Sequence, residues 1–421
     1  MTKIFINCSK MTSLFIAMFF LAGCVKDNCK QTYTYFMPVY KTTAEVRANI
    51  KSNKPEEIKR PGKLFIKGDY IFLNEIDRGI HILDNTNPAN PENVAFINIP
   101  GNMDLAVKGN ILYADLYTDL VAIDITSPLQ VMVKSIIDNA FPFRRYTGGF
   151  AADQNKIIVD WIERDTTINI DCRNGRMRVW QCPTCMLMDM SSSMMSGQKS
   201  PSPFGTGGSM ARFTIVNSYL YTVSDNSLDV FNISTPQTPT FTSKLQLGWG
   251  IETIYPFKNK LFIGSNTGMF IYDITNPSQP SKQGVFNHVR RCDPVIAEDK
   301  YAYVTLRTGT GCPGSTNQLD VVDISDVFNP SLVKTYSMVN PHGLSKDGNL
   351  LFICDGTQGL KIFNAANPNN IFLLKQISGP ETYDVIAWNN VAIVSASDGL
   401  YQYDYSDVQN IKLLSKTGWK K

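Results

Sequence analysis

The sequence predicts an all-β fold made of repeated four-stranded antiparallel units, and three observations carry that expectation. A short strand ending in Asp or Asn and leading into a polar turn, often closed by proline, returns seven times along the 421 residues. A second pattern, a pair of polar or glycine residues between apolar stretches, returns eight times. The composition, 43% apolar and 18% charged, is that of a folded chain with a large core.

The second pattern opens each unit. Its copies are "IKGDYIFL" from Ile66, "VKGNILYA" from Val107, "ADQNKIIV" from Ala152, "IVNSYLYT" from Ile215, "FKNKLFIG" from Phe257, "AEDKYAYV" from Ala297, "SKDGNLLF" from Ser345 and "AWNNVAIV" from Ala387. Gly, Asn and Asp tolerate the positive φ that a tight two-strand turn demands, so each copy reads as a β-hairpin. The first pattern follows as a third strand, in "GIHILDNTNPANP" from Gly79, "DLVAIDITSPLQV" from Asp119, "SLDVFNISTPQTP" from Ser227, "GMFIYDITNPSQP" from Gly268, "QLDVVDISDVFNP" from Gln318, "GLKIFNAANPNNI" from Gly359 and "GLYQYDYSDVQNI" from Gly399. Its Asp or Asn can cap backbone N–H groups, and proline fixes φ, so a turn follows. A fourth stretch such as "ENVAFINIP" completes the unit. Four strands in about 40 residues make one blade of a β-propeller. Eight hairpins predict eight blades, with seven as the alternative if the unit after Ala152 only decorates the ring. That unit has a degenerate third strand in "GRMRVWQCPTC" from Gly175.

"LVAIDITSP", "LDVFNISTP", "LDVVDISDV" and "MFIYDITNP" resemble the LVIVD repeat of bacterial envelope β-propellers, over nearly everything from Pro61 to Trp419. Asn232, Asn364 and Gln181 depart from the usual aspartate. The resemblance implies a propeller, secretion, and a binding or scaffolding role with no fixed catalytic set.

The first residues set the expected address. Residues 1–23 read as a signal peptide, with Lys3 and Lys10 before the apolar run "MTSLFIAMFFLAG". Its end, "LAGC", resembles a bacterial lipobox, which makes Cys24 the lipidated residue and the protein an outer-membrane lipoprotein facing the periplasm or the outside. Lys26 and Asp27 partly resemble the surface-export signals of Bacteroidota lipoproteins. Residues 24–60 form an anchored segment and linker, in which "QTYTYFMPVYKT" from Gln31 is strand-like and is expected to pair with the final blade. The propeller spans 61–421, with loop insertions in 162–208 and 307–317. Beyond Cys8 and Cys24 the chain keeps seven cysteines, an odd number, so at least one is free or bonded to another molecule. A net charge of +3 and a pI near 8.2, with no clustered basic stripe, exclude a nucleic-acid partner.

In such a blade the hairpins and the third-strand turns share one face, and the connections after strands two and four share the other. Both insertions lie on the second face, which is where binding is expected. Aligned on their hairpins, the innermost strands bring Lys63, Asp104, Arg212, Glu252, Asp293, His342 and Asp384 to the channel mouth, with Arg144, Arg145, Arg290 and Arg291 just before two of them. Their arginines suit carboxylate or phosphate groups. Cys292 and Cys312 are read as a disulfide pinning the loop from Arg307. "CPTC" from Cys182 stands in strand and loop rather than at a helix start, which favours a structural disulfide over a redox pair. "GTGCPG" from Gly309 lacks the following helix that a phosphate site needs. Three scattered histidines and the absence of a G-x-S-x-G elbow leave no catalytic residue, cofactor or histidine-built metal site to name. The expected function is a lipid-anchored, non-catalytic module binding an envelope protein or glycan. The alternative is a propeller hydrolase or lyase, with a polar or metal site at Asp104, Glu252, Asp293 or Asp384.

Overall fold

The computed structural model describes residues 28–146, 150–153, 155–171, 186–187, 206–207, 209–288, 294–308 and 317–419. They divide into two units, one holding the described residues up to 38 and between 161 and 189, the other holding the remaining described residues.

The described part of the first unit belongs to a three-stranded sheet in which Asn28–Thr42 lies between Lys156–Asp171 and Met186–Leu187. Tyr35 stands opposite Leu187, and Thr34 donates to Asp165 at 2.7 Å. This corrects two expectations. The N-terminal strand does not pair with the last blade, and the strand after the Ala152 hairpin opens no blade. Asn155 does take the left-handed turn, with φ of 63°. The hairpin chemistry is real, but its long second arm pairs with the N-terminal strand.

The second unit is a propeller of seven four-stranded antiparallel blades, the alternative count, over 61–98, 105–137, 213–246, 251–287, 295–337, 344–377 and 382–418. The repeated motif explains its regularity. In all seven blades the Asp or Asn ending strand three accepts the N–H two residues on, from Asp84 with Thr86 to Asp404 with Ser406. The residue in between donates to the carbonyl of the same blade's hairpin, at 2.7 to 2.9 Å every time. Each such turn also meets the preceding blade. Tyr113 donates to the Pro236 carbonyl, Tyr221 to Pro277 and Tyr336 to Pro368.

No single core fills the unit. Apolar side chains bury themselves between neighbouring blades, as where Tyr113 and Leu120 meet Phe213 and Phe231, or Phe352 meets Val394 and Tyr403. The first and last blades join in the same way, Leu64 and Leu73 packing with Ile386 and Ile393. Ser415 donates to the Pro88 carbonyl at that junction, at 2.6 Å. The ring therefore closes by packing and not by strand exchange.

Two segments outside the repeats finish the ring. Thr43–Ala48 is a helix started by a capping box between Thr42 and Glu45, after which Ser52–Asn53 adds to the outer edge of blade 1 opposite Ile97 and Phe96. At the other edge of that blade, Thr206–Gly207 pairs with the innermost strand at Ile66 and Phe65. The chain then crosses the channel. Ser209 accepts from the Leu344 N–H of blade 6, the Met210 carbonyl accepts from Lys63 of blade 1, and the Ala211 carbonyl accepts from Ile254 of blade 4. A strap of the protein's own backbone occupies this end of the channel.

Candidate functional site

The buried charges predicted at the channel mouth are arranged around that strap. Lys63 donates to Met210 at 2.6 Å and stands 3.8 Å from Asp104. One oxygen of Asp104 accepts the Arg212 and Phe213 N–H groups of the next blade, and the other caps its own Leu105. Burial pushes the Asp104 carboxyl up, against the pull of Lys63. Arg212 itself reaches Asp225 at 3.1 Å. His342 donates its N–H to Cys354, takes the Thr305 hydroxyl on its carbonyl, and sets its ring against Tyr383. Asp384 is wholly buried against Gly343, where an added Cβ would fall 1.8 Å from its carboxylate. Glu252 is the second residue of the first strand of blade 4, Ile251–Phe257, and acts electrostatically on Arg307. Arg290, Arg291, Asp293, Cys292, Cys312, Cys182, Cys185 and Cys24 lie outside the described residues. Cys354 is buried.

A residue the sequence did not single out, Asp115, connects this network to Arg144. One of its oxygens accepts from Asn102 and from the N–H groups of Met103 and Asp104, while the other meets Arg144 Nε at 3.3 Å. Arg144 also donates to the Gly101 and Arg145 carbonyls. Its neighbour Arg145 is exposed.

Beyond Arg144 the surface opens into a groove of about 910 Å³ over blade 2, walled by the Thr43 helix, the connections at Tyr117 and Pro142, and the stem of the Ala152 hairpin. Arg47 builds its wall by bridging Asp119 and Asp138. Two tyrosines hold the stem. Tyr117 and Tyr146 stack at 4.4 Å, Tyr117 accepting the Ala152 N–H and Tyr146 the Ile158 N–H. Tyr117 does so with φ of 54°, a strained conformation for a bulky residue. Gly101, itself at φ of 79°, permits it, because a Cβ there would stand 2.8 Å from the Tyr117 Cα. On the groove rim Phe143 is 78% exposed beside Arg145 and Lys156.

Chemically, Lys63 and Asp104 at the mouth are already engaged in joining blades, while the groove offers an exposed aromatic ring and cations. Among the described residues no three His, Cys, Asp or Glu side chains gather as a metal would require.

The LVIVD repeat matches residues 101–138, 207–246, 259–288 and 292–338. These are blades 2, 3 and 5 and the last three strands of blade 4, so the chain carries LVIVD repeats on a β-propeller. No curated protein matches it. Solved structures similar to it include the computationally designed protein Ika8, at 10% identity and a TM-score of 0.48, covering 87% of this chain and 90% of that one. Another is a protein from Lactobacillus plantarum, at 14% identity and 0.49, covering 85% and 96%. A third is BamB from Moraxella catarrhalis, at 9% identity and 0.45, covering 86% and 97%.

Proposed function

We propose that the protein is a lipid-anchored envelope propeller that binds an envelope protein or glycan, without chemistry of its own, through the face of its strand-two and strand-four connections. The groove over blade 2 carries this reading. Its wall is fixed by the ion pairs of Arg47 with Asp119 and Asp138, while Phe143 and Arg145 are left to solvent on its rim. Trp249, on the connection between blades 3 and 4, adds a second ring that is 79% exposed on the same face. Aromatic and arginine side chains are the types that anchor interfaces. The lipobox-like "LAGC" ending at Cys24 supports the membrane address.

The test is in-cell photo-crosslinking from position 145, against a probe at Asn276 on the turn face. A discrete species captured only from position 145 is expected, and equal capture from both positions, or none from either, would overturn the reading. Metabolic labelling with a fatty-acid probe should mark the wild type and not Cys24→Ala.

A further inference from the structure

Arg307 follows the second strand of blade 5, Tyr301–Leu306, and its backbone is pinned on both sides. Thr305 donates to the His342 carbonyl at 2.7 Å, and the Thr308 N–H donates to Asn317 at 2.7 Å. The side chain is only 6% exposed. Among the described residues neither its Nε nor its Nη2 meets an acceptor. These two N–H groups lie along one edge of the planar guanidinium, the edge that pairs with both oxygens of a carboxylate. An arginine does not shed its proton to escape such a position. Burial draws its pKa down, and among the described residues Glu252 of blade 4 acts against that shift.

We propose that the Nε–Nη2 edge of Arg307 is a binding site for a small carboxylate ligand, held bidentately at the channel mouth. The low exposure admits only a small group. Glu252 already supplies negative charge nearby, which favours a monoanion over a phosphate dianion. The site is on blade 5, apart from the groove over blade 2, and does not depend on a partner binding there.

Thermal unfolding of the purified full chain tests this with sodium acetate, sodium phosphate and sodium chloride at matched ionic strength. A saturable rise in Tm is expected with acetate, larger than with phosphate or chloride. Arg307→Met should abolish the acetate effect and leave Tm in chloride equal or higher, because an unpaired buried charge has been removed. Arg307→Lys keeps the charge without the fork and should bind acetate at least about 10-fold more weakly. A Tm no higher in acetate than in chloride, or a stronger response to phosphate, would overturn the assignment. So would a fall in the Tm of Arg307→Met in chloride, or its failure to fold, since either marks Arg307 as half of a structural ion pair. Crosslinking from position 145 reads the groove separately.

Discussion

The two faces of the ring are built on opposite rules. On the turn face the same side-chain cap and the same backbone bond recur in all seven blades. On the other face the described connections carry different side chains. One carries Asp115 and the strained Tyr117, another the exposed Trp249, another the buried Arg307. Repetition marks what every blade needs to stand beside its neighbour, and departure from it marks where something else is being done.

Breaking the repeated part should cost most. Phe231→Ala removes a fully buried ring packed between blades 2 and 3, with an expected loss of about 3–5 kcal/mol in denaturant unfolding. Gly343→Ala drives a methyl group into the buried Asp384 carboxylate and should cost about 1–3 kcal/mol by the same measurement. The turn carboxylates give a subtler signature. Thr126, through its hydroxyl and its N–H, together with Lys134 holds Asp124 down to about 2, and Asp84 and Asp404 are lowered by Thr86 and Ser406. A depressed carboxylate contributes stability that is present above its unfolded pKa, about 3.9, and is lost as pH falls through the folded value. Asp124→Asn should therefore keep the turn, as Asn232 and Asn364 do, and flatten the stability–pH profile between about pH 4 and pH 2. Phe143→Ala should change stability by no more than about 0.5 kcal/mol while abolishing capture from position 145. A large stability loss there would erase the distinction between the faces.

The same contrast governs what the sequence could reveal. The turn motif was legible because its cap, its following N–H and its proline are neighbours in the chain. Hairpins were legible for the same reason, and Asn217 and Asn390 take the expected positive φ. The Ala152 hairpin misled because a turn's chemistry is local, whereas the sheet its arm joins is chosen by a strand more than a hundred residues earlier. Sites suffered likewise. Arg144 could be placed by alignment, yet its partner Asp115 lies 29 residues away and Arg47 lies 72 residues from Asp119. Nothing in the letter Tyr announces that Tyr117 takes a left-handed backbone.

The junction between the first and last blades has a mechanical meaning. It is made of an interblade core and a hydroxyl on a turn carbonyl, the same kind of joint found elsewhere around the circle. A hoop whose seam matches its other joints has no built-in zip, so heat or tension should open it wherever the packing is poorest and not where the polypeptide happens to begin and end.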